Sequence, residues 1–186
     1  MSFAPDAEQR YRRLFDDYHR DIYAYCRRRT DPQTAADCAA ETFLVAWRRI
    51  NDVPSGDASL PWLYGVARKT LANEFRGGRR RRRLHNQLRG NVANADPSPE
   101  VLVVRREQDK QVLVALAALR PRDREVLQLA LWEELPHAAI AELMGCSTQA
   151  ITQRIYRATR QVCREFQRLE NRHRDAKVQP RGGEPA

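Results

Sequence analysis

The sequence predicts an all-α protein made of two small helical domains, residues 7–84 and 105–170, joined by a flexible linker over 85–104 and followed by a disordered tail, 171–186. Three observations lead there. Apolar residues recur at three- and four-residue steps through most of the chain, the spacing of helices with one buried face, and no sustained strand alternation occurs. Hydrophobic residues are 42% and charged residues 31% of 186, with only eight glycines, a mixture typical of helix-rich proteins. Between Arg79 and Glu100 the composition breaks: five consecutive arginines lead into a stretch rich in Asn, Asp, Pro and Ser that has few residues able to build a core.

The first helix spans about Ala7 to Arg29, with Tyr11, Leu14, Phe15, Tyr18, Ile22, Tyr25 and Cys26 on one stripe. Asp31-Pro32 ends it, because proline disfavours helix in the residue before it and suits a helix's first turn. A second helix, Pro32 to Ile50, is expected to bury Ala36, Ala40, Phe43, Trp47 and Ile50. Asn51 to Ser59 reads as a loop. A third helix, Leu60 to Gly77, carries Leu63, Val66, Ala67, Leu71 and Phe75.

In the second half, Val101 to Leu119 carries Val104, Val112, Ala115, Leu116 and Leu119, and Pro121 opens a helix over Arg122 to Trp132. A short helix, Pro136 to Met144, precedes Gly145 as turn residue and Ser147 as cap. The last helix starts near Thr148 and runs to about Leu169, burying Ile151, Ile155, Ala158, Val162, Phe166 and Leu169.

The charge points to a partner. The formal net charge is +9, and Leu60 to Gly90 holds nine basic residues (Arg68, Lys69, Arg76, Arg79 to Arg83, Arg89) against the single acid Glu74. A run of arginines binds phosphate with strong salt dependence, and Trp62, Tyr64 and Phe75 lie close enough in sequence to offer stacking surfaces to unpaired bases. Phe75 reads better as core; Tyr64 is open. Elsewhere Pro136 to Arg154 has the pattern of helix, tight turn, helix, with Ile140, Ala141, Leu143 and Ile151 packing the pair. Its outward end presents Ser147, Thr148, Gln149, Thr152 and Gln153, residue types that read base edges in a major groove, and Arg154, Arg157, Arg160, Arg164 and Arg168 lie on a separate arc from the apolar stripe. Asp37 and Glu41, four apart, repel by a few tenths of a kcal/mol in an isolated helix. A basic partner would offset that, as would Arg48 and Arg49.

Other functions lack their residues. The four histidines (His19, His85, His137, His173) have no carboxylate or serine arranged for catalysis, and neither a glycine-rich phosphate loop nor zinc spacing occurs, so neither enzyme nor cofactor is expected. Cys26, Cys38, Cys146 and Cys163 read as reduced core thiols. No apolar run approaches the roughly 20 residues of a membrane span, and Met1 to Arg10 lacks a signal core, so a cytoplasmic address is expected.

The pieces then resemble, in order, region two and region four of extracytoplasmic-function (ECF) sigma factors of the sigma-70 family. The residues that carry the likeness are Asp37 to Arg48, Leu60 to Arg68 with the basic run behind it, Asp96 to Glu100 in the linker, and the terminal helix-turn-helix. It covers about Tyr11 to Phe166. The resemblance implies an RNA polymerase subunit that recognises two promoter elements and helps open the DNA. Asp37, Glu41, Phe43 and Arg48 would dock on the clamp helices of the β′ subunit, and region four on the β flap. The loop 51–59 would capture a flipped base of the minus-ten element, which Trp62, Arg68, Lys69, Asn73, Arg76, Arg79 and Arg80 would face. Ser147, Thr148, Gln149, Thr152, Gln153, Arg154 and Arg157 would read the minus-thirty-five element, with 120–135 as their support. An anti-sigma factor is a possible further partner; a membrane is not. Ala40 stands where the family often has glutamine, and Lys69 where asparagine is common. Two rival readings remain: a helix-turn-helix regulator that binds duplex DNA without polymerase, and an RNA-binding protein using the arginine run.

Overall fold

The computed structural model describes the backbone of residues 5–89 and 107–178 and the side chains of 6–78 and 110–174. Among the described residues there are seven α-helices and no strand, and the chain divides into two compact units between Leu102 and Val103.

In the first unit α1 (Pro5–Arg27), α2 (Pro32–Arg48) and α3 (Ser59–Arg89) pack on one another. Ile22, Tyr25, Phe43 and Leu63 are fully buried among them, each contributing roughly 1.5–3 kcal/mol by leaving water. Tyr64, undecided from sequence, is core: it is 3% exposed and its ring lies 5.1 Å from that of Tyr25. Of the stripe expected on α2, Phe43 and Ile50 are buried and Trp47 half-buried, but its alanine positions are displaced by one residue. Ala36 and Ala40 are exposed, whereas Ala35, Cys38, Ala39, Thr42 and Ala46 face inward, Thr42 hiding its hydroxyl by donating to the Cys38 carbonyl at 2.7 Å.

Asp31 starts α2, its Oδ1 accepting from the Thr34 amide at 3.0 Å, with Pro32 in the first turn. That bond, chiefly, lowers the Asp31 carboxyl from its ordinary 3.8 to about 2. A carboxyl depressed by folding adds stability that is present above its ordinary value and lost as pH falls through the folded one. Thermal stability is therefore expected to fall between about pH 4 and pH 2, and Asp31→Asn, which caps without titrating, should reduce that slope in a melting series. A wild-type slope retained by the variant would assign it to other carboxylates.

Between α2 and α3 the loop forms two single 3₁₀ turns, Ile50–Asp52 and Gly56–Ala58. Arg10 donates to the Val53 carbonyl, and the Ser59 hydroxyl to the Pro54 carbonyl at 2.8 Å, so the loop's inner edge is fixed while 55–58 remain exposed. α3 does not stop at Gly77. It passes through Gly78 and the five arginines to Arg89, because arginine is a good helix former and the adjacent Gly77 and Gly78 cost about 1 kcal/mol each without breaking the helix. Residues 85–89 of the expected linker are thus helical, and 90–104 lie outside the described residues.

The second unit comprises α4 (Glu107–Ala117), α5 (Pro121–Leu131), α6 (His137–Met144) and α7 (Thr148–Val178), with α4, α5 and α6 all packed on α7. Leu116, Leu119, Leu127 and Ala158 form a buried cluster flanked by Trp132, Ile155 and Val162. Val112, expected in the core, is 41% exposed; Val101 and Val104 lie outside the described residues. Arg124 holds the α4–α5 corner, donating to the Leu116, Ala117 and Leu119 carbonyls at 2.9, 2.6 and 3.2 Å and so satisfying groups that a helix end leaves unpaired. α7 continues past Leu169 to Val178, so 171–178 are helical rather than part of a disordered tail; 179–186 lie outside the described residues.

Candidate nucleic-acid interface

The turn between α6 and α7 is built from backbone geometry. Gly145 sits in the left-handed region at φ 65°, where a side chain would be strained, and the amides of Gly145 and Cys146 return to the Glu142 and Ala141 carbonyls at 3.2 and 3.0 Å. Ser147 caps α7, its Oγ accepting from the Ala150 amide at 3.2 Å. Arg122 on α5 fastens the far side by donating to the Met144 carbonyl at 3.1 Å. Ser147, Thr148, Gln149, Thr152 and Gln153 are therefore held on the exposed first turns of a fixed helix.

The predicted readers differ in what they are free to do. Gln149 and Gln153 are exposed, as is Arg157, whose Nε reaches back to the Gln153 carbonyl at 3.4 Å. Arg154 departs from the expected arc: it is half-buried and forms an ion pair with Asp123 of α5, so its charge is spent within the unit. Tyr156 was missed. At about 100° per residue it lies amid Gln149, Thr152, Gln153 and Arg160, it is 62% exposed, and Arg160 places its guanidinium 5.6 Å from the ring centre. A tyrosine in the pattern R-I-Y-R reads as core filler until its angle on the helix is drawn.

On α3, Arg68, Lys69, Asn73 and Arg76 fall within roughly 140° of one another, opposite Leu63, Tyr64, Ala67 and Leu71. Lys69, Asn73 and Arg76 are exposed and Arg68 half-buried; Arg76 donates to Asn73 Oδ1. Trp62 is half-buried about two turns before Lys69, with the Arg49 guanidinium 5.9 Å from its ring and Arg49 paired to Asp52 at 3.0 Å, which joins the loop to this helix. Arg79 and Arg80 continue α3, their side chains lying outside the described residues. Phe75 is half-buried.

α2 presents a different face. Asp37, Glu41 and Arg48 are exposed within about 60° of one another, Gln33 donating to Asp37 at 3.2 Å and Arg48 lying 4.0 Å from Glu41. Phe43 does not belong with them. It is 1% exposed, packed edge-on against Phe15 at 4.9 Å, and serves the core. The apolar residue that shares the acidic face is Leu44, 39% exposed, one position on and about 100° round the helix.

Cys26 and Cys38 are core thiols, and burial, helped by Glu74, Asp37 and Asp31, pushes Cys38 up to about 11. Cys146 is half-buried, and Cys163 is exposed, contrary to the expectation of four core cysteines. Among the described residues no group of three or more His, Cys, Asp or Glu could hold a metal ion, and no helix is long and apolar enough to cross a membrane.

Residues 14–82 match the model of sigma-70 region 2, and residues 109–162 that of sigma-70 region 4. The RNA polymerase sigma-H factor of Pseudomonas aeruginosa is 30% identical over 148 residues, 75% of this chain and 76% of that protein. The chain belongs to the sigma-70 family. Within that family it is similar to the ECF RNA polymerase sigma factor BldN of Streptomyces coelicolor, at 32% identity over 82% of this chain. It spans 58% of the length of BldN and 35% and 45% of two further curated relatives. The fold is also that of the sigma factor RpoE, solved in complex with the anti-sigma factor NepR from Bartonella quintana: TM-score 0.60, 20% identity, covering 84% of this chain and 96% of that one. The sigma-factor likeness thus spans both units.

Proposed function

We propose that this sigma factor is a cytoplasmic, non-enzymatic subunit that binds core RNA polymerase, recognises minus-ten and minus-thirty-five promoter elements, and drives local melting of the DNA. The observation that carries the reading is the division of surfaces: an acidic face on α2, a basic and amide face on α3, and a polar, uncharged end on α7, each opposite its own buried stripe. The α2 face, with Asp37, Glu41, Leu44 and Arg48, suits a basic partner such as the β′ clamp helices. The α7 end suits a major groove, and the second unit as a whole would meet the β flap. Opening A·T-rich steps costs about 1.4 kcal/mol of stacking each, and capture of an unstacked base returns about 1–3 kcal/mol, so binding alone can drive opening. An anti-sigma factor is a further proposed partner, as NepR is for RpoE.

The test is transcription in vitro with core polymerase. The full chain should associate with core enzyme as a monomer, bind free promoter DNA poorly, and start transcripts at defined sites. Gln153→Ala, at an exposed candidate reader, is expected to lower the preference for its best template over a minus-thirty-five variant by about 5- to 100-fold, the worth of a good base contact, with little change in melting temperature. A dimer that bound a palindromic duplex without polymerase would instead establish the regulator reading.

A further inference from the structure

His137 and Thr152 join the two helices of the helix-turn-helix on their exposed side. His137 Nδ1 lies 2.9 Å from Thr152 Oγ1, and the same hydroxyl donates to the Thr148 carbonyl at 3.1 Å. A threonine hydroxyl has one hydrogen and two lone pairs. With its hydrogen committed to Thr148, the oxygen meets Nδ1 only by accepting, so both contacts coexist only when the ring carries a hydrogen on Nδ1. One lone pair then remains, on a side chain exposed within the arc of Gln149, Gln153 and Tyr156. The His137 ring itself is exposed, and its contact is with Thr152. His137 is the first residue of α6, and Ile140 and Ala141, a turn further on, are buried.

We propose that His137 is a positioning residue that fixes Thr152 as an acceptor-only reader, selecting a base that offers an amino group, adenine or cytosine, on the strand it touches. In the major groove adenine N6 and cytosine N4 donate, whereas guanine shows only the acceptors N7 and O6, and thymine O4 beside its methyl group. A hydroxyl free to rotate could donate or accept and would tolerate all four bases. One whose hydrogen is pinned to the helix backbone and whose second site is taken by the imidazole cannot. The inference rests on the reading that this end of α7 enters the major groove of promoter DNA.

The experiment uses the full chain with core RNA polymerase and a pool of templates randomised across the upstream element, with the transcripts sequenced. Wild type should show one position enriched in adenine or cytosine. Thr152→Val, of equal shape but without the oxygen, should cut that enrichment about fivefold, and Thr152→Ser should keep it. His137→Leu should relax the same position to admit guanine or thymine. His137→Asn, which restores an N–H near the place of Nδ1, should recover the preference, a rescue that a merely structural role would not give. The Ser and Asn variants decide the matter should the Val or Leu protein fail to fold. Unchanged enrichment in Thr152→Val or His137→Leu, or a thymine preference that survives in Thr152→Val, would overturn the inference and leave the sigma-factor reading standing. Absence of any transcript from wild type would overturn that reading itself.

Discussion

Asp37→Arg should weaken binding to core RNA polymerase by about 10- to 100-fold while leaving the protein folded. Asp37 is exposed on α2, and its recorded contact within the protein is the Gln33 amide one turn earlier. Against a basic surface, reversal replaces an attraction with a like-charge contact, which costs several kcal/mol where the groups are close, and each 1.4 kcal/mol is tenfold in affinity. Within the monomer the effect has the opposite sign. Asp37 repels Glu41 four residues on, and arginine at 37 would pair with it, so the free protein should hold or gain a few tenths of a kcal/mol. Loss of binding with an unchanged or higher melting temperature therefore cannot be a folding defect. Equal affinity of the two proteins, measured by fluorescence anisotropy at low and high salt, would remove α2 from the interface.

Ile151→Ala should destabilise the second unit by about 2–5 kcal/mol. Ile151 is 0% exposed, at the start of α7 where α6 packs on it, and Ile140 opposite is equally buried. A small helical unit holds only about 5 kcal/mol in all, so this one deletion approaches its whole stability. Hydrogen exchange is the measurement: protection should collapse over 110–174 and persist over 6–78, since each unit has its own core. Protection lost equally in both would mean that they fold together. Minus-thirty-five selection should vanish in the same variant, whereas core binding through α2 should survive.

Helix type and order were legible because the apolar period of 3.6 is written by large residues: Leu14, Ile22, Phe43, Leu63, Leu127 and Ile151 all lie inside. The errors lie where that signal is weak. α2 carries alanine on both sides, at 35, 36, 39, 40 and 46, so composition does not choose a face, and the deciding members, Cys38 and Thr42, include a residue that reads as polar until its hydroxyl finds a carbonyl. The extensions of α3 past Gly77 and of α7 past Leu169 have no apolar stripe to announce them, yet arginine, glutamate and alanine sustain the backbone ladder without one. The resemblance puts Phe43 on the partner face although the apolar period already puts it in the core stripe; the period is right, and the angle on the helix puts Leu44 in its place. Arg154 with Asp123, and His137 with Thr152, are pairings between helices that no local spacing encodes.

The exposed face of α7 is nearly separate from the stripe that anchors it: Gln149, Gln153 and Tyr156 stand in solvent while Ile151 and Ala158 are enclosed. Replacements at the outer positions should therefore be nearly neutral for folding. Under the proposed reading, single exposed changes there would alter promoter preference at little cost to folding, so duplicated copies of such a gene could diverge in the operons they command while retaining one architecture.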